Sequence, residues 1–178
     1  RKQAGEKFVS QVTSELEFLN MPKVKLVVEQ KAGKLTVNGM DSVEFLISAN
    51  VGEEPKPIAK IASGGELSRI MLALKNVIAD KDSIETLIFD EIDTGVSGRA
   101  AQKIAVRLWR LGRENQVICI SHQPQLAAYS DNHFYIEKHQ EEDKTITSLR
   151  KLSDVERVEE LARIIDGENI TEMAKNSR

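Results

Sequence analysis

The chain has 178 residues, 40% of them hydrophobic and 30% charged, with a formal net charge of −3, which suits one soluble domain able to bury about 70% of its unfolded surface. That balance gives no global basis for binding nucleic acid or lipid, no apolar run approaches the roughly 18 residues of a membrane span, and no signal peptide opens the sequence. The single Cys119 excludes an internal disulfide and fits a reducing compartment; within Val117-Ile118-Cys119-Ile120 it is expected to be a buried, inert thiol.

Residues 1–19 place Phe8, Val12, Leu16 and Leu19 on one stripe, which predicts an amphipathic helix ended at Pro22, narrow enough to be the last turns of a coiled coil. Position 1 is Arg rather than Met, and the expectation is a piece of a longer protein. Alternation over Lys23–Gln30 predicts a strand; Lys34–Val37 and Val43–Ala49 are further short strands, with turns at Gly33 and Gly39. Asn50–Lys60, with Gly52, Pro55 and Pro57, reads as a loop.

Ala62-Ser63-Gly64-Gly65-Glu66-Leu67-Ser68-Arg69 then leads into a helix to about Ala79, apolar on nearly all sides and therefore buried. Ser63 and Glu66 have capping-box spacing. The segment admits two readings: a tight, capped helix entry with no ligand, or a set of free backbone N–H groups at the positive end of a helix, which accepts phosphate. Leu87, Ile88 and Phe89 suit a short strand buried on both faces of a parallel sheet. Asp90 and Glu91 follow at the strand's C-terminal end, where ligands sit in open α/β sheets. Adjacent strand residues point to opposite sides, so one acid can hold a hydrated cation while the other orients a water. Asp93–Gly98 makes a turn, and a helix runs from about Gly98 to Leu111 with Ser97 as its N-cap. Gln116–Ile120 is a second buried strand, ending in Ser121-His122-Gln123-Pro124, which puts His122 on the same sheet edge as the two acids. Asn132–Lys138 and Thr145–Lys151 alternate as a hairpin around Gln140–Lys144. Ser153 and Glu156 form a second capping box for a helix with Val155, Val158, Leu161, Ala162 and Ile165 on one face, stopped by Gly167. The residues through Arg178 are polar and expected to fray. Strand, helix, strand, with the polar candidates at the strand ends, makes the fold class α/β.

The order of Ser63-Gly64-Gly65-Glu66, then Leu87-Ile88-Phe89-Asp90-Glu91, then Ser121-His122 resembles the C-terminal half of an ATP-binding-cassette ATPase head. Within that group, Ala62–Arg69 together with Asp90-Glu91-Ile92-Asp93-Thr94-Gly95-Val96-Ser97-Gly98-Arg99 is similar to the RecN family of bacterial DNA repair proteins, which is related to the SMC chromosome proteins. The resemblance implies a C-terminal lobe over residues 21–178, with a mainly parallel sheet core flanked by helices plus antiparallel strands, and an N-terminal helix, residues 1–20, that is the remnant of a coiled-coil arm. It implies ATP and Mg²⁺ as cofactors. Asp90 would hold Mg²⁺ through a water, Glu91 would polarise the attacking water, and His122 would sense the γ-phosphate. Ser63, Gly64, Gly65 and Glu66 would face the nucleotide of the opposite subunit, and Asp93, Thr94 and Gly95 match the D-loop. The implied partners are the family's own N-terminal Walker A lobe, a second head and DNA, with no membrane, in a cytoplasmic, nucleoid-associated protein. One departure limits this: no G-x-x-x-x-G-K-[ST] occurs in the sequence, so the phosphate-cradling loop is missing and only half of a site is present. The competing readings are a non-hydrolysing module for head pairing or arm docking, and a lobe of a transporter or other cassette ATPase.

One feature lies outside every motif. Arg99, Lys103, Arg107, Arg110 and Arg113 fall, at about 100° per residue, within an arc of roughly 120°. Such an arc is either a solvated face whose cationic stems cover apolar neighbours or a strip for the DNA phosphate backbone or an acidic partner.

Overall fold

The computed structural model describes residues 1–50, 52–61, 63–79, 83–141 and 144–166. They form two compact units, Arg1–Ser121 and His122–Arg178.

The first unit opens with helix α1 (Lys2–Phe18), whose stripe buries Val12, Leu16 and Leu19 completely or nearly so. Each such burial is worth about 1.5–3 kcal/mol relative to exposure. Pro22 does not end this helix. The chain leaves it four residues earlier, through Asn20 in the left-handed region (φ 61), a conformation that Asn tolerates better than most residues. Strands β1 (Lys25–Thr36) and β2 (Gly39–Ser48) pair antiparallel. The expected turn at Gly33 is absent: β1 runs straight through it, and the pairing slips between Ala32 and Thr36. A Cβ on Gly33 would stand 3.2 Å from the Met40 carbonyl, so the glycine admits a close cross-strand approach rather than a reversal. The reversal is at Gly39 (φ 104), where the Thr36 hydroxyl donates to its carbonyl at 2.8 Å. Helix α1 lies on this hairpin, with Phe8 tilted against Phe45 at 5.5 Å between ring centres. In the segment read as a loop, a two-residue strand, β3 (Lys56–Pro57), pairs with β2 and a single 3-10 turn follows over Ile58–Lys60.

Helix α2 (Gly64–Ile78) buries Ile70, Leu72, Ala73 and Leu74. Strand β4 (Thr86–Phe89) pairs in parallel with β5 (Gln116–Cys119). Between them runs α3 (Gly98–Leu111), with Ala101, Ile104, Ala105, Leu108 and Leu111 buried as its periodicity predicts. Ser97 occupies the N-cap position of α3 but makes no side-chain cap bond. The expectation that β4 is buried on both faces fails. Leu87 and Phe89 are buried, whereas Ile88 is 66% exposed and its cross-strand neighbour Ile118 is 44% exposed. Among the described residues the parallel sheet is two strands wide, and one of its faces is open.

The second unit holds α4 (Pro124–Tyr129), the hairpin β6 (Phe134–Glu141) and β7 (Lys144–Lys151), and α5 (Asp154–Asp166). Sequence reading missed α4, a short helix that begins on Pro124, a residue suited to a first helical turn. The Arg157 guanidinium closes the other end of α4, donating to the carbonyls of Ala127, Ala128 and Ser130. The hairpin extends to Glu141 and Lys144; residues 142–143 of the predicted turn, Gly167 and the tail through Arg178 lie outside the described residues. Helix α5 forms as expected, but Val155, Val158 and Ile165 on its apolar face are each about two-thirds exposed.

Candidate functional site

The site is built where the start of α2 meets the turn after β4. Ser63 is the N-cap of α2, its backbone extended (φ −93, ψ 117) and its hydroxyl accepting from the Glu66 N–H at 3.4 Å. Side chains on the next two residues would meet the acidic turn. A Cβ on Gly64 would overlap the Glu91 carboxylate, and one on Gly65 would come within 2.9 Å of the Glu91 carbonyl oxygen and 3.1 Å of the Thr94 Cβ. The two glycines therefore let a helix start press directly on the acidic turn.

Asp90 and Glu91 stand beyond the end of β4, so strand alternation does not set their directions. Glu91 sits in the left-handed region (φ 55). The Asp90 carboxylate turns back to accept the Glu91 N–H at 2.8 Å, and both acids are exposed. Among the described residues, nothing hydrogen-bonds or ion-pairs with the Glu91 carboxylate. The backbone around it is held much more firmly. Ser68 donates to the Asp90 carbonyl at 2.7 Å, and Arg69 Nη1 donates to the carbonyls of Ile92 at 3.2 Å and Thr94 at 3.0 Å. Thr94 N–H in turn donates to the Glu91 carbonyl at 3.0 Å. Arg69 is only 9% exposed, and burial pulls its pKa down against the opposing pull of Glu66 and Asp93. A guanidinium stays charged under such a shift, so the turn carbonyls act as its counter-dipoles.

Asp93 is 3% exposed and accepts the Ser121 hydroxyl at 2.6 Å, which ties the turn to the end of β5. Gly95 takes φ 72, a conformation that favours glycine. Burial pushes the Cys119 thiol up to about 12, with Asp93 and Asp90 adding to the rise, as expected of an inert thiol.

The first unit thus gathers Ser63, Gly64, Gly65 and Glu66 with Asp90, Glu91, Asp93 and Thr94. His122, also expected at this edge, is exposed and is the first residue of the second unit. Sequence reasoning assigned no role to Ser68, Arg69 or Ser121. The available signal was Arg69 itself, a cation in an apolar helix four residues after Gly65 and hence on the same face.

Asp90 offers an exposed carboxylate at this edge, and among the described residues no three His, Cys, Asp or Glu side chains gather as metal ligands. This donor set fits Mg²⁺, which keeps several waters and takes one or two carboxylates together with phosphate oxygens. It does not fit a cation caged by protein side chains alone.

The basic face of α3 divides in two. Arg107 packs its guanidinium 3.8 Å from the Phe18 ring centre and places Nε 2.6 Å from Glu15 Oε2. That ion pair is close, but its N–H is not aimed at the oxygen. Lys103 donates to Asn20 Oδ1 at 2.7 Å. Both side chains grip the end of α1, whereas Arg99, Arg110 and Arg113 are exposed, with Arg113 over the Trp109 ring.

No protein-family model matches the chain. It is 46% identical over 180 residues to the DNA repair protein RecN of Halalkalibacterium halodurans, 40% over 191 residues to that of Bacillus subtilis and 42% over 176 residues to that of Haemophilus influenzae, covering 98% of this chain each time. Over nearly its whole length the chain is similar to RecN proteins. It spans about a third of the length of these curated relatives, 32%, 33% and 32%. Among solved structures, the chain resembles the Smc head domain with a coiled coil and joint from Pyrococcus yayanosii, with a TM-score of 0.60 and 20% identity over 89% of this chain and 29% of that one. It also resembles a chain from a study of ATP-driven dimerisation and DNA-stimulated activation of SMC ATPases, with a TM-score of 0.52 and 19% identity over 93% and 95% of the two chains. These likenesses show the fold, that of an SMC-type ATPase head. No helix among the described residues is long and apolar enough to cross a membrane.

Proposed function

We propose that this chain is the C-terminal lobe of a RecN-type ATPase head acting in DNA double-strand break repair and recombination, and that it supplies one part of a composite ATP site shared between two heads. The observation that carries this reading is the contact of Gly64 and Gly65 with Glu91 and Thr94. It joins a phosphate-accepting helix start, two strand-end carboxylates and a turn into one edge that lacks a phosphate cradle of its own. ATP with Mg²⁺ supplies the phosphoryl group and the metal charge that such chemistry needs.

The chain's own residues then have distinct tasks. Asp90 holds a hydrated Mg²⁺, and the Glu91 carboxylate, unheld by any described neighbour, orients and polarises the attacking water. Ser63 and the N–H groups behind it meet the nucleotide carried by the opposite head, with Gly64, Gly65 and Glu66 completing that contact. Asp93, Thr94 and Gly95 form the D-loop at the junction of the heads, and His122 senses the γ-phosphate. The N-terminal Walker A lobe brings the chain's own nucleotide, and it covers the open face marked by Ile88 and Ile118, which is too apolar to favour water. A second identical head and DNA complete the partners, in a cytoplasmic protein that works at the nucleoid. On DNA, Arg99 and Arg110 are the candidate contacts, because Lys103 and Arg107 are engaged with α1.

Turnover by purified proteins tests this reading. The 178-residue chain alone is expected to hydrolyse ATP at background rate, and addition of the N-terminal lobe to restore turnover. Glu91→Gln should then remove it, by roughly 10²–10⁴-fold, while ATP-dependent association persists. Robust hydrolysis by the isolated chain would sink the half-site assignment.

A further inference from the structure

We infer that Ser68 and Arg69 are positioning residues for Glu91, holding the backbone of the acidic turn so that its carboxylate is presented to the reacting water. The inference rests on the reading of Glu91 as the group that polarises that water. Glu91 occupies the left-handed region at φ 55. Among non-glycine residues this region is populated mainly by Asn, Asp and His, and a residue of another type persists there only when its surroundings fix it. The described surroundings do so from one turn of α2. The Ser68 hydroxyl holds the carbonyl of Asp90 on one side of Glu91, and the Arg69 guanidinium holds those of Ile92 and Thr94 on the other.

Three alternate carbonyls of one short turn are therefore gripped by two adjacent side chains. Gly65 closes against the same turn, its missing Cβ leaving 2.9 Å to the Glu91 carbonyl and 3.3 Å to Arg69 Nη1. The arrangement fixes the backbone on both sides of Glu91 while leaving its carboxylate unbonded among the described residues. A group that must move a proton benefits from this combination: the main chain is set before substrate arrives, and the carboxylate is not spent on an internal partner. A purely structural role for the pair predicts that loss of either side chain lowers folding stability and nothing else. Positioning predicts a loss in the chemical step with ATP binding retained.

The test uses the complete protein, with its N-terminal lobe and a second head. In steady-state ATP turnover, Ser68→Ala is expected to lower kcat by roughly 10- to 100-fold with KM within about twofold, since misplacement of a catalytic group by a fraction of an ångström acts on the transition state. Ser68→Thr, which keeps the hydroxyl, should recover most of the rate. Arg69→Lys, with a single point of charge in place of a fork, should behave like Ser68→Ala while the thermal midpoint and ATP-driven pairing persist. Amide hydrogen exchange of residues 91–94 without nucleotide gives a readout independent of catalysis, and it should quicken in both variants. Unchanged exchange, or a kcat that falls only in proportion to the folded fraction, would overturn the positioning role. Normal turnover by Glu91→Gln in parallel would instead overturn the role of Glu91, so the two failures are told apart.

Discussion

Two helices of this chain start on the same Ser-x-x-Glu spacing, Ser63-Gly64-Gly65-Glu66 and Ser153-Asp154-Val155-Glu156, and the structure uses them differently. At α5 the box is closed in both directions. Ser153 N–H and its hydroxyl both donate to Glu156 Oε2 at 2.8 Å, Glu156 N–H returns to the Ser153 hydroxyl at 3.4 Å, and Arg150 pairs with Glu156 at 2.6 Å. At α2, among the described residues, only the forward bond is made, from Glu66 N–H to Ser63, and Gly64 and Gly65 lie against the turn that carries Glu91. One start is a stability device that satisfies its own orphan donors. The other makes only the forward bond among the described residues, and its helix start is the proposed contact for an anion.

The largest effect that would sharpen this contrast is at the glycines. Gly65→Ala puts a Cβ against backbone oxygen and should cost about 1–3 kcal/mol of stability, as overpacking does, measured by denaturant unfolding of the complete protein. Gly64→Ala meets only the movable end of the Glu91 side chain, so its stability should stay within about 0.5 kcal/mol. Its ATP turnover should nonetheless fall, because the carboxylate is displaced. Equal stability losses at both positions would break the distinction between a backbone and a side-chain contact.

A second effect, specific to pairing, is expected from Ser63→Arg. In the proposed arrangement the large cation would block the helix start where it meets the partner's nucleotide, so light scattering of complete heads with ATP should show monomers, while each head still binds nucleotide. The equivalent change at the other start, Ser153→Arg, should leave pairing intact. Normal dimerisation of Ser63→Arg would make α2 a capped helix and no more.

A smaller effect, on stability alone, is expected at the closed box. Ser153→Ala should cost about 1 kcal/mol with no change in turnover, as read from thermal unfolding and kcat together. The smallest effect is in pH dependence. Hydrogen bonds from the Ser153 backbone and hydroxyl, and then from Arg150, hold the Glu156 carboxyl at about 2 against an ordinary 4.5. Because the folded value is the lower one, the unfolded chain takes up the proton first as pH falls. The stabilisation is therefore complete above about 4.5 and is lost on acidification from there to about 2. Glu156→Gln should flatten the stability profile within that window and leave it unaltered near neutrality apart from a constant offset; an unchanged slope would assign the acid sensitivity to other carboxyls.

The longer helices α1, α2 and α3 were legible in the sequence because their signals are local: the stripe through Val12 and Leu16, the apolar run of α2, and the alternation of basic and apolar faces along α3. The parallel pair and the acids beyond β4 were legible for the same reason, as was the resemblance to RecN proteins, since its wording lies in short contiguous runs. Long-range relations were not legible. Gly33 looks like a turn by composition and is a strand residue, because a cross-strand carbonyl and not the local sequence decides its place. Ile88 looks buried, but burial depends on what covers the sheet, which a pattern of four residues does not state.

Within the site, sequence alone determined which chemical groups are present: a serine with two glycines at a helix start, and an aspartate and a glutamate after a strand. Tertiary structure alone decided how they are held. The left-handed backbone of Glu91, the grip of Ser68 and Arg69 on the carbonyls around it, and the engagement of Arg107 with Glu15 each join residues from separate elements. Hydrogen bonds and ion pairs of this kind depend on distances of about 3 Å between groups far apart in the chain, and that is information a local sequence pattern does not contain.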